Sequence, residues 1–306
     1  MFKAAALTVA FVPALLAQSV SPSQSPSDQS DFTLYTASQL VVLNVGVQDA
    51  HGTNVRGLAA GDFKVFEDGA PQAIKQFAAE ERPVTVGIVL DASGSMRTKQ
   101  AEAVTAALAF VHSSNPDDEV FVVTFNDHAT LGLPTNTSFS HDTNELRSAL
   151  MGRNPQGKTA LYDALVLAAN HLREGKWENK ALLLISDGGD NGSSHTIADA
   201  IQAVQNSWAT VYTVALFDPD EPEHNLGVLH RLSGISGGED FVPAELSEIR
   251  PLCVRIAQDL RASYTVAYTP PRPEQRAASR KIKVVATGNG RKLTVHTRTS
   301  YSLGNR

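Results

Sequence analysis

Four compact apolar runs recur through the middle of the chain, at residues 84–90, 120–125, 181–186 and 210–216. Each run is continuously apolar instead of alternating, which marks strands covered on both faces, as in a parallel sheet. The segments between them repeat at helical spacing. Ala101, Val104, Leu108 and Val111 share one face, as do Leu161, Ala164, Leu165, Ala168 and Leu172, and later Ile197, Ile201 and Val204. Strands alternating with helices predict an α/β fold with a doubly wound, mostly parallel, Rossmann-like sheet over residues 82–262. The stretch 126–154 is less regular, and residues 128–133 read as an antiparallel edge strand.

The flanks have a different pattern. In residues 36–81, positions 40–47 are rich in β-branched residues, 49–54 form a turn, and 63–67 alternate before a Glu67-Asp68-Gly69 turn. Residues 74–77 add a short strand. Residues 263–303 return to β character at 264–268, 281–285 and 292–296. Neither set buries much surface alone. They are therefore expected to pair into one β-sandwich module that the α/β domain splits in sequence. The alternative is two independent edge sheets.

The start of the chain reads as an export signal. Lys3 precedes an apolar stretch at 4–17, and Ala17-Gln18-Ser19 offers small residues for cleavage, giving a signal peptide at 1–19. Residues 20–35 are rich in Ser, Pro and Gln and read as a flexible linker. The expected location is secreted or periplasmic, with no membrane span after signal cleavage. The formal charge is −6 with no basic stripe, which argues against a nucleic-acid partner. The single cysteine, Cys253, excludes an intrachain disulfide and reads as a buried core thiol.

Chemistry concentrates at three places. Asp91-Ala92-Ser93-Gly94-Ser95 directly follows the first apolar run, Asp187 follows the third, and Thr159 opens a helical segment. In open α/β sheets the ligand crevice lies outside the carboxyl ends of the strands. Two carboxylates and three hydroxyls there suit a hard cation that prefers oxygen donors and keeps some of its water, which favours Mg²⁺, with Mn²⁺ or Ca²⁺ also accommodated. Taken singly, Asp91 and Thr159 would be turn or cap residues. Asp190, Asn191, Asn126 and Asp127, near the same mouth, read as solvated loop residues.

These residues resemble a known pattern. Asp-x-Ser-x-Ser with a later Thr and a later Asp-Gly is similar to the metal-ion-dependent adhesion site of von Willebrand factor type A domains. The stretches DEVFVVTF at 118–125, TALYDAL at 159–165 and GGEDF at 237–241 support the resemblance, which spans about residues 82–262. GDFKVFEDG at 61–69 and RKIKV at 280–284 resemble a bacterial secreted subgroup often seen in Acidobacteria. The resemblance implies that Asp91, Ser93, Ser95, Thr159 and Asp187 are metal ligands, directly or through water. It implies a non-enzymatic adhesion module that captures an acidic side chain of a protein ligand.

Two other motifs compete. Gly234-Ile-Ser236-Gly-Gly238 fits Gly-x-Ser-x-Gly but lacks the strand-then-helix setting of a nucleophile elbow. Gly152 to Thr159 fits the spacing of a phosphate-binding loop, but a helical segment precedes it where a strand is required. The alternatives to adhesion are an envelope assembly scaffold with a mainly structural metal and, behind it, a metal-dependent hydrolase.

Overall fold

In the computed structural model the described residues are 40–79, 81–216, 224–270, 279–288 and 290–302. The expected signal peptide and linker lie outside them. The amino-terminal flank supplies β1 (Val41–Gln48), β2 (Phe63–Glu67), β3 (Ala70–Gln72) and β4 (Ile74–Ala78). The middle of the chain carries β5 (Thr85–Asp91), α1 (Gln100–His112), β6 (Glu119–Phe125), β7 (Ala129–Leu131), α2 (Thr143–Met151) and α3 (Leu161–Leu172). It continues with β8 (Lys180–Ser186), α4 (Ile197–Ser207), β9 (Thr210–Ala215), α5 (Leu226–Ser236), β10 (Asp240–Phe241) and α6 (Ile249–Arg261). The carboxyl-terminal flank adds β11 (Tyr264–Tyr268), β12 (Ser279–Gly288), β13 (Arg291–Lys292), β14 (Thr294–His296) and β15 (Ser300–Ser302).

Six strands form one sheet in the order β10-β9-β8-β5-β6-β7. All its neighbours run parallel except β7, the expected antiparallel edge strand. All seven residues of β5 are buried, as its unbroken apolar run requires. Helix α1 packs against α2 and α6, whereas α3 and α5 pack against α4. From β5 the chain moves to β6 on one side, then returns to β8 on the other. The order therefore reverses between β5 and β8, the switch point at which doubly wound sheets open a crevice.

The flanks pair with each other. β1 lies between β11 and β14, β4 adds to β11, and β2 pairs with β12. The two antiparallel sheets, β14-β1-β11-β4 and β13-β12-β2-β3, share one core that includes Leu43, Val45, Val65, Val266, Val284 and Tyr301. Asp68 and Gly69 both take positive φ (48° and 83°), the conformation that a two-residue hairpin turn between β2 and β3 demands. The expected strand at 292–296 serves both sheets. Lys292 pairs with β12 as part of β13, then Thr294–His296 crosses to β1 as β14. One strand cannot lie in two facing layers without breaking, so it divides at Leu293.

The sandwich attaches beneath the parallel sheet. Asn44 bonds Asn179 (2.7 Å), just before β8, and Gln48 bonds Glu239 (2.8 Å), just before β10. Trp208, just before β9, packs its ring on Tyr301. All three contacts sit at strand amino ends, so the sandwich leaves the carboxyl-end crevice uncovered.

A buried polar group ties the two flanks together. Glu67 on β2 is 2% exposed. Its Oε2 accepts hydrogen bonds from the Tyr268 and Tyr301 hydroxyls (2.7 and 2.8 Å), and its Oε1 pairs with the Arg280 guanidinium. Removing one member of such a pair strands a buried charge. Glu67→Ala is expected to lower the unfolding free energy by about 3–5 kcal/mol, read by urea titration. An unchanged midpoint would contradict the cluster's structural role.

Candidate metal centre

Asp91 ends β5 and Asp187 directly follows β8, so the two paired strands deliver two carboxylates to the switch point. Asp91 is fully buried and Asp187 is 3% exposed. Asp91 Oδ1 accepts the Ser93 N–H (2.8 Å) and Oδ2 accepts the Ser186 hydroxyl (2.7 Å). Asp187 Oδ1 accepts the Gly189 N–H (3.0 Å), and Oδ2 accepts the Ser95 hydroxyl (2.6 Å). The Ser93 and Ser95 oxygens are 3.0 Å apart. Four of the five candidate ligands thus form one connected cluster of oxygens.

The fifth, Thr159, is buried in the loop packed against that cluster. Gly94 N–H donates to Gly157 O (3.2 Å) and Gln156 N–H donates to Ala92 O (3.0 Å), which seats the loop on the Asp-x-Ser-x-Ser turn. Asn191 fixes Thr159 through its main chain: Asn191 Oδ1 accepts the Thr159 N–H (2.8 Å), and Asn191 N–H donates to Thr159 O (3.0 Å). Among the described residues, no hydrogen bond joins the Thr159 hydroxyl to the other four.

Several neighbours expected to be solvated loop residues have structural work instead. Asn126 is buried, and its carbonyl accepts the Ala160 N–H (2.8 Å). Asp190 Oδ1 accepts the Tyr162 N–H (3.1 Å), capping the start of α3. Asp127 is exposed, as expected, but accepts the Lys158 N–H (3.0 Å). Ser186 and Lys99 escaped the sequence reading. The Ser186 hydroxyl looked like the end of an apolar strand, and only the fold shows it bonded to Asp91. The buried Lys99 ammonium donates to Leu216 O (2.9 Å) and anchors the turn that follows Ser95. Gly188 sits at φ +81° with Asn225 O where a side chain would stand, so the turn after Asp187 depends on glycine.

The two buried carboxylates act on each other. Burial first, and the Asp187 charge second, push the Asp91 carboxyl up to about 6. Among the described residues no three or more His, Cys, Asp and Glu side chains gather as metal ligands would, so a cation here draws on the serine and threonine hydroxyls as well. An all-oxygen set of two carboxylates and neutral hydroxyls, with uncompensated negative charge, fits Mg²⁺ or a similar hard ion.

The competing motifs do not form sites. Ser236 ends α5 and is buried, its hydroxyl donating to Ser233 O (2.9 Å) and accepting the Val211 N–H (2.9 Å). Helix α2 leads straight into Gly152, so no strand precedes the phosphate-loop spacing. Cys253 is a core thiol that burial pushes up to about 12.

Comparison with known proteins bears on the fold. Residues 86–190 match the von Willebrand factor type A domain profile, a span that holds all five candidate residues. A von Willebrand factor type A structure from Catenulispora acidiphila is similar over 89% of this chain and 77% of its own, at 17% identity and a TM-score of 0.52. The corresponding domain of the type V pili tip protein Mfa5 from Porphyromonas gingivalis is similar over 59% of this chain and 95% of its own, at 16% identity and a TM-score of 0.50. No curated protein matches the chain. The fold is that of a von Willebrand factor type A domain, a mostly parallel α/β sheet flanked here by antiparallel sheets.

The raised Asp91 value gives a signed prediction. The unfolded carboxyl ionises near 3.8 and the folded one near 6. Between those values the folded state holds a proton that the unfolded state has lost, so metal-free stability falls as pH rises through that window. The loss is on the order of 2–3 kcal/mol. Asp91→Asn should remove it. Thermal melts in EDTA from pH 4 to 7 should show the wild type losing stability relative to Asp91→Asn. Parallel pH profiles would contradict the buried-charge account.

Proposed function

We propose that this chain is an exported, non-catalytic protein-binding module that captures an acidic group of a partner through a divalent cation. The reading rests on one observation above all: Asp91, Ser93, Ser95 and Asp187 meet as a single oxygen cluster at the sheet's switch point. Asp91 and Asp187 would hold the ion by charge. Ser93, Ser95 and Thr159 would complete its shell with neutral oxygens, each directly or through water. Mg²⁺ is the favoured ion, with Mn²⁺ or Ca²⁺ as substitutes. Once bound, such an ion supplies an open coordination position to an incoming carboxylate oxygen.

The crevice faces away from the sandwich, which suits access by a large partner. The likeness to a domain of a pilus tip protein is in keeping with adhesion. On the export-signal pattern of the leader and the resemblance of the flanks, we place the protein among secreted or periplasmic bacterial proteins. The scaffold alternative is favoured by the sandwich, a second module with surfaces of its own. A structural ion would mainly raise the melting temperature, whereas a capturing ion would mainly change partner affinity.

Calorimetry provides the test. Wild-type protein should bind Mg²⁺ and Mn²⁺ at one site, and Asp91→Ala should abolish that binding. No binding by wild type, or unchanged binding by Asp91→Ala, would sink the reading.

A further inference from the structure

Cations that the metal reading does not use stand in the loops that carry the candidate ligands. Arg97 stands two residues after Ser95, and Lys158 stands one residue before Thr159. Both side chains are exposed. Their stretches touch through the Gly94–Gly157 and Gln156–Ala92 main-chain bonds. Arg153 adds a half-buried guanidinium that bonds only neutral oxygens: Asn126 Oδ1, His128 O (3.2 Å) and Thr130 Oγ1 (2.7 Å). Among the described residues, none of the three cations pairs with a carboxylate.

The same rim carries Asp127, Asp190 and the exposed His128. Both acids are already engaged by main-chain donors, Asp127 by Lys158 N–H and Asp190 by Tyr162 N–H. Cations with no carboxylate partner among the described residues, beside this crevice, run against the formal charge of −6. Exposed cations of that kind draw anionic ligands to their own stretch of the cleft.

We propose that Arg97 and Lys158 form a cationic subsite beside the candidate metal centre, with Arg153 as a positive charge held by Asn126, His128 and Thr130, and that the partner is an acidic peptide segment bearing at least two carboxylates. The first carboxylate rests on the metal reading above. The second depends on Arg97 and Lys158. Each exposed contact is weak alone, but two acting in one field separate a multiply charged peptide from a single carboxylate. A polynucleotide fits less well, because three cations on an acidic protein neutralise few phosphates.

The test uses the full chain and two probes, acetylated tetraglutamate amide and acetylated glutamate amide, with and without Mg²⁺. Wild type with Mg²⁺ should bind the tetraglutamate about tenfold more tightly, and the preference should shrink as NaCl rises. The double variant Arg97→Gln, Lys158→Gln should lose the preference without weakening Mg²⁺ binding in calorimetry. A double variant that keeps the preference overturns the subsite. A thymidine tetranucleotide that binds as tightly as tetraglutamate overturns the peptide assignment. Failure of wild type to bind Mg²⁺ overturns the metal reading alone, because tetraglutamate binding that depends on Arg97 and Lys158 is read separately without the ion.

Discussion

Two carboxylates stand side by side at the ends of neighbouring parallel strands, almost sealed from water. Burial of like charges is costly, and each acid answers it with hydrogen bonds from its own turn and from the other strand. Ser186, at the end of β8, donates to Asp91 at the end of β5. Ser95, in the turn after β5, donates to Asp187 after β8. These crossed bonds satisfy oxygens without supplying positive charge. The negative charge that remains is the reason the site suits a hard cation, and the reason Asp91 is the most perturbed carboxyl at the crevice.

The rest of the molecule keeps that pair in place and open. The parallel core fixes the register of β5 against β8, and the reversal of strand order between them opens the crevice. The sandwich grips the opposite end of the sheet through Asn179, Glu239 and Trp208. Its own halves come from distant parts of the chain and are joined at Glu67, Arg280, Tyr268 and Tyr301. The candidate site and the sandwich are thereby placed at opposite ends of the parallel sheet.

Much of this was legible in the sequence because apolar runs and helical spacing report burial directly. The runs at 84–90 and 181–186 gave β5 and β8, and with them the positions of Asp91 and Asp187. The Asp-Gly turn at 68–69 announced its hairpin. What stayed hidden depends on partners far along the chain. Glu67 looks like the exposed end of an alternating strand until Arg280, more than two hundred residues later, lies against it. Asn191 and Asn126 read as loop polar residues, since nothing local shows that they clamp the main chain around Thr159. The division of 292–296 between two sheets follows from sandwich geometry, which periodicity cannot encode.

The most direct measurement is an anomalous-scattering crystal structure of the protein soaked in Mn²⁺. The account predicts one strong peak among the Ser93, Ser95, Asp91 and Asp187 oxygens, with the Ser95–Asp187 hydrogen bond reorganised around it. Crystals in which the four side chains keep their mutual hydrogen bonds, with no peak among them, would contradict it.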